Sequence, residues 1–169
     1  MIFKEYLNKK FYINISIILI IFLLDRLTKI IVVNLVEKNF GNQIFSSKYL
    51  NIDLIWNQGI AFGLFSFDEI LTYNILTAII AAVILIVFIM ILKNNGFKRF
   101  LLLLIMGGAL GNLYDRVFFS SVPDFIDFHV GNFHWFSFNV ADIFISIGVF
   151  FMILIEFIDI NKLKNNEKN

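Results

Sequence analysis

From Ile70 to Leu92 the chain carries no charged residue. About 20 consecutive apolar residues suffice to cross a bilayer core, and a helix that is apolar all round has no face to turn toward water. The chain is therefore read as a membrane protein. Two similar stretches follow, Phe100 to about Phe119 and about Phe138 to Ile158, and one precedes, Phe11 to about Val36, which holds Asp25, Arg26 and Lys29 in its later half. Four transmembrane helices are expected, at about 11–36, 70–92, 100–119 and 138–158, in one integral-membrane domain covering residues 1–169. Composition agrees, since 16% of the 169 residues are charged where soluble domains carry about 25%.

The first stretch is preceded by Lys4, Lys9 and Lys10, as a secretory signal would be. No small-residue cleavage pattern follows its apolar run. The sequence continues through Asp25-Arg26-Leu27-Thr28-Lys29 into a second apolar stretch, so an uncleaved helix is expected. Lysines and arginines set the orientation. Lys4, Lys9 and Lys10 precede the first helix, Lys93, Lys98 and Arg99 lie between the second and third, and Lys162, Lys164 and Lys168 follow the fourth. The other two loops hold only Lys38 and Lys48. Both termini are thus expected in the cytoplasm, with residues 37–69 and 120–137 on the outer face.

Those outer segments carry their own patterns. Tyr49 to Leu54 alternates apolar and polar residues as a half-buried strand does, and Asp124 to Phe138 reads as two strands around Gly131-Asn132, a hairpin turn pair. The glycine-punctuated run Trp56 to Phe65 suits a segment lying in the membrane interface. The expected class is an all-α membrane protein with a little β-structure and an interfacial segment on its outer face.

Composition also excludes chemistry. A formal charge of +1 leaves no basic excess to neutralise a nucleic-acid backbone. With no cysteine there is no disulfide, thiolate nucleophile or thiolate metal site, and with two histidines a His-based metal centre is not expected. Neither a metal nor another cofactor is anticipated.

Ionisable residues inside spans cost about 2.5–3.5 kcal/mol even on the gentlest scale, so their positions point to use. Asp25 and Lys29 share a helix face at i, i+4 and can pair. Gly107 and Gly111 form a small-xxx-small pair for close helix packing, and Gly108 leads along the third helix to Asn112, Asp115 and Arg116. That row reads either as packing with an Asp115–Arg116 anchor or as part of a site. Asp124 follows the third helix and Asp142 begins the fourth, so both reach the outer surface, where Asn139 can orient Asp142. Two carboxylates held close share one proton, one acting as base toward water while the other donates. That is aspartic-protease chemistry. Turn and helix capping are the plainer uses of these two aspartates.

Five blocks occur in order: Asp25 to Lys29, Asn57-Gln58-Gly59-Ile60-Ala61-Phe62, Gly107 to Arg116, Val122-Pro123-Asp124-Phe125-Ile126, and Phe138-Asn139-Val140-Ala141-Asp142. Together they resemble the lipoprotein signal peptidases, or signal peptidases II, of bacterial cytoplasmic membranes. The resemblance implies hydrolysis of the bond before the diacylglyceryl-modified cysteine of a prolipoprotein, with Asp124 and Asp142 as catalytic aspartates. It prefers Asp124 to Asp115, which is implied to support Arg116 and the helix end. It further implies that Asn57, Gly108, Asn112, Arg116, Asn139 and Ala141 line the substrate groove, Gly108 and Ala141 leaving room for substrate backbone. Asp25 and Lys29 match a supporting pair, and the outer strands resemble a small β-cradle. Pro123 departs from the family's usual aliphatic residue. Prolipoprotein and membrane lipid are the expected partners, and a monomer the expected state, in the bacterial inner membrane with the site at its outer face. The alternatives are a proton or ion carrier using the same ionisable groups as a relay, and a scaffold assembled through the glycine face.

Overall fold

The computed structural model describes residues 9–59 and 70–166. Four helices carry the fold: α1 (Lys9–Lys38), α2 (Ile70–Lys93), α3 (Gly96–Phe119) and α4 (Val140–Asn166). Between α1 and α2 lie β1 (Phe45–Ser46) and β2 (Leu50–Asn57), and between α3 and α4 lie β3 (Val122–Val130) and β4 (Phe133–Phe138). The strands form one antiparallel sheet in the order β1-β2-β3-β4. The expected hairpin is present, with Gly131 in the left-handed region at φ 61° as its turn demands. The segment expected in the interface runs past Gly59 and so largely outside the described residues.

α3 is the central helix and packs against the other three. Leu102, Leu103 and Met106 meet Ile84, Val87 and Ile91 of α2, while Leu101 and Leu104 meet Ile21 of α1 together with Phe144, Met152 and Ile155 of α4. The opposite faces of the outer helices are apolar and exposed, among them Ile79, Val83 and Ile86 on α2 and Phe150, Ile153 and Phe157 on α4. Such a belt suits hydrocarbon as its solvent.

Among the described residues, three helices are long and apolar enough to cross a membrane: Tyr73–Lys93, Gly96–Phe119 and Val140–Ile160. The 30-residue α1 is not among them, so the expected count of four is met by three on this criterion. Boundaries differ too. α3 begins at Gly96 rather than Phe100, so Lys98 lies in the helix and pairs with Glu156 and Asp159 of α4, at 2.9 Å each. α4 starts after Asn139, since Phe138 still belongs to β4, and continues to Asn166.

Glycines set how closely the helices meet. A Cβ on Gly107 would strike the Ile21 side chain, and one on Gly111 the Asp25 carboxylate. On the other side, a Cβ on Gly108 would fall 2.5 Å from the Ala141 carbonyl oxygen and 2.9 Å from Ile145. A carbonyl in a helix cannot swing away, so Gly108→Ala must push α3 from α4. The expected result is a loss of about 1–3 kcal/mol, read as a lower melting temperature in detergent. An unchanged melt would show the contact to be looser than drawn.

Candidate active site

Asn139 occupies the N-cap of α4 and Asp142 is three residues on. The Asn139 side chain accepts from the Asp142 backbone N–H at 3.1 Å, and Asp142 Oδ2 accepts from the Asn139 N–H at 3.1 Å. This is a reciprocal capping box, and it fixes both side chains at the start of the helix. The Asn139 amide nitrogen is left to donate elsewhere, and it donates to Asp124 Oδ1 at 2.7 Å. One buried asparagine thus bridges the two aspartates.

Asp124 reaches this point because α3 ends at Phe119, Ser120 turns the chain in the left-handed region (φ 55°), and β3 starts at Val122. Asn57 at the end of β2 pairs with Val122 and is therefore the diagonal neighbour of Asp124. Its amide nitrogen donates to Asp124 Oδ2 at 2.8 Å, while its oxygen is held by the Gly59 N–H at 2.8 Å. Burial, and secondarily the charge of Asp142, push the Asp124 carboxyl from 3.8 up to about 6, although the two asparagine amides oppose the shift. Pro123 sits where β3 has β2 on one side but no β4 partner, since β4 pairs only from Ile126 onward. A missing ladder donor is tolerated at such a position.

Below the pair is a second buried polar cluster. Lys29 uses all three ammonium protons, donating to Asp25 Oδ2 at 2.8 Å, Asn112 Oδ1 at 2.9 Å and Asp115 Oδ2 at 2.7 Å. Because Lys29 claims its oxygen, Asn112 can only offer its amide nitrogen onward, and it donates to Asp142 Oδ1 at 2.8 Å. Asp25 Oδ1 accepts from the Ala141 N–H at 3.0 Å, capping α4 from a neighbouring helix, and Arg26 closes on Asp115 from the other side. Arg116 donates to the carbonyls of Asn112 and Gly59, and its Nε is buried with no partner among the described residues. The cluster sets the acids Asp25, Asp115, Asp124 and Asp142 against Arg26, Lys29 and Arg116. It is electrically neutral only when one carboxyl keeps a proton.

Both aspartates open on a cavity of about 590 Å³. Its polar wall is Asn57, Asn112, Arg116, Asp124, Asn139, Asp142 and Ser146, and the rest of its lining is apolar, from Ile80 on α2 to Ile153 on α4.

A profile of the family described as Signal peptidase (SPase) II matches residues 17–158. The chain belongs to the signal peptidase II family. A lipoprotein signal peptidase of Pelagibacter ubique is 52% identical over 161 residues, covering 95% of this chain and 96% of that one. One of Aquifex aeolicus is 39% identical over 164 residues, covering 96% of each. Two solved structures described as bacterial membrane enzymes are similar in fold. The first has a TM-score of 0.68 at 30% identity, over 88% of this chain and 90% of that one, and the second 0.62 at 27% identity, over 83% and 90%. With its apolar helices, this signal peptidase II is a multi-pass membrane protein and an aspartic-type peptidase.

Within this peptidase, Asp124, Asp142, Asn57, Asn112, Arg116 and Asn139 gather at one cavity. Asp25 and Lys29 pair as their spacing predicts. Two readings are corrected. Asp115 does not hold Arg116, because its oxygens take Lys29 and Arg26 from α1, while Arg116 turns toward the cavity. Gly108 and Ala141 do not stand on the cavity wall, because the Ala141 carbonyl and Ile145 close the space in front of Gly108, Ala141 is fully buried, and Ala109 lines the cavity instead. Arg26 was visible only as a charge in a span, and its partner is 89 residues away. A third group, Asp127, His129 and His134, is brought together on the β3–β4 hairpin, which the low histidine count does not anticipate.

Proposed function

We propose that the protein removes signal peptides from prolipoproteins by hydrolysing the bond before the diacylglyceryl-modified cysteine, with Asp124 and Asp142 activating water between them. The observation that carries this is the Asn139 bridge: two buried carboxylates held by one amide at the end of a largely apolar cavity. The ionised carboxylate takes a proton from water, and the hydroxyl attacks the scissile carbonyl. The protonated carboxyl donates to the carbonyl oxygen, forming a tetrahedral diol, which collapses as a proton passes to the leaving nitrogen. The neutrality of the cluster with a single shared proton matches this resting state. Arg116, whose buried Nε has no partner among the described residues, is placed to donate to a substrate carbonyl. The apolar wall of α4 suits acyl chains, and Asn57, Asn112 and Asn139 keep the acids oriented without adding charge.

In this reading α1 also spans. Ile21, Asp25 and Lys29 lie level with Gly107, Gly111 and Asp115, a parallel match of three pairs over two successive four-residue steps. A helix that runs beside the central span at this depth must share its bilayer. Its mid-helix charges Asp25, Arg26 and Lys29 face the bundle, and its outer side there is Leu19, Ile20, Leu23, Leu24, Leu27, Ile30 and Ile31, all exposed and apolar. Four spans with both termini cytoplasmic follow, and the dyad then meets the outer face of the inner membrane, at headgroup depth, where a monomer could take a lipid-anchored substrate from the membrane plane. Depth also weighs against an ion relay, since the buried acids and bases sit in one cluster instead of a series across the bilayer.

The test is a gel-shift assay of a diacylglyceryl-modified prolipoprotein with the protein in detergent, run across pH. Cleavage is expected only of the lipid-modified form. Because the working state holds one proton on the pair, the rate falls as rising pH removes it, and burial moves that limb from the ordinary 3.8 to about 6. The two apparent values belong to the pair. An absence of cleavage at every pH would reject the assignment.

A further inference from the structure

The protein's two histidines are cross-strand partners on the hairpin, His129 on β3 opposite His134 on β4. Their rings stack with centroids 5.0 Å apart and 20° between planes. Asp127 lies two residues before His129 and so on the same face of the strand. The register shift between Asp127 and His129 falls on β4, where three steps from His134 to Ser137 match two on β3. β3 therefore keeps its alternation, while the extra residue re-aims β4, as bulges near sites commonly do.

One ligand-type atom from each of the three residues lies within 4.8 Å of the others. His134 Nδ1 is 2.7 Å from Asp127 Oδ2, which also accepts from Asn51 of β2 at 3.2 Å. The remaining atoms are the informative ones: Asp127 Oδ1 and His129 Nδ1 are both buried and have no hydrogen-bond partner among the described residues. Leaving a buried polar atom unpaired costs about 1–3 kcal/mol, and here two ligand-type atoms in one cluster bear that cost.

We propose that Asp127, His129 and His134 form a binding site for a divalent transition-metal ion of the Zn²⁺ class, distinct from the Asp124–Asp142 pair. Two imidazoles and one carboxylate are a donor set suited to late first-row ions, with water completing a fourth position. Ligands about 2.0–2.1 Å from such an ion stand roughly 3.4 Å apart in a tetrahedron. The widest gap must therefore close, and His134, whose side chain is 55% exposed, would do so by trading its direct bond to Asp127 for one to the ion. With Asn51 already holding Asp127, the ion clamps β2, β3 and β4 together and steadies the strand that carries Asp124. Its role is structural, so the proposal stands apart from the peptidase reading.

The test uses the full chain in detergent, its affinity tag removed and metals stripped with chelator, titrated with Co²⁺ and followed by visible absorption. One equivalent is expected to bind, Zn²⁺ to displace it, and the melting temperature to rise with metal. His129→Gln and His134→Gln should each lose the Co²⁺ band, while melting like the metal-free wild type and cleaving prolipoprotein in chelator as well as it does. Should His129→Gln fail to fold, the exposed His134 variant carries the comparison. No saturable band in the wild type, or an undiminished band in the variants, overturns the proposal.

Discussion

Asp124→Asn and Asp142→Asn each lower cleavage of a lipid-modified prolipoprotein by about 10³-fold or more, the scale of losing a general acid or base. Neither variant can share a proton, and the pair acts as one unit, so the double variant is expected to be little worse than either single one. The structure also fixes the accompanying stability effect. Each of the four carboxylate oxygens takes its proton from a donor committed elsewhere: Asn57 by Gly59, Asn112 by Lys29, Asn139 by its own capping box. None can flip to welcome an incoming amide, so an Asn at either position faces donor against donor and loses about 1–3 kcal/mol. A folded, slightly less stable, inactive protein is the expected outcome. Cleavage within tenfold of wild type by either variant would remove that residue from the chemistry.

The divide between what the sequence reveals and what it hides follows distance along the chain. The Asp25–Lys29 pair, the Asn139–Asp142 contact and the Gly131 turn depend on residues within four positions of each other, where backbone geometry dictates which side chains meet. Apolar runs likewise locate the helices, because the bilayer sets their length. Partners chosen by packing leave no such mark. Nothing near Asp115 in sequence indicates that Lys29 and Arg26 will reach it from another helix, and the adjacent Arg116 is the misleading neighbour. Gly108 shows a related ambiguity: a missing side chain makes room equally for a substrate or for a helix, and only the position of α4 decides that it is a helix. The charged pair Lys98-Arg99 resembles a loop until its lysine finds Glu156 and Asp159 on α4.

Lys29→Met is the substitution expected to harm the fold most. Lys29 is 1% exposed and is the common donor to Asp25, Asp115 and Asn112. Methionine matches its volume but leaves Asp25, 0% exposed, without its close cation and Asp115 with Arg26 alone, and breaking a buried ion pair from one side costs about 3–5 kcal/mol. For a chain of this size that corresponds to a fall of roughly 10 °C in melting temperature. Asp115→Asn should be milder, since an amide oxygen can still accept from one of the two cations while Asp25 continues to balance Lys29. A functional effect follows through Asn112. Once Lys29 no longer claims its oxygen, the Asn112 amide is free to turn, and Asp142 loses the donor that fixes its orientation. Cleavage by Lys29→Met should therefore stay depressed even at low temperature, where the variant is folded. Full activity below its melting transition would confine Lys29 to holding helices together and separate the ion cluster from the dyad it underlies.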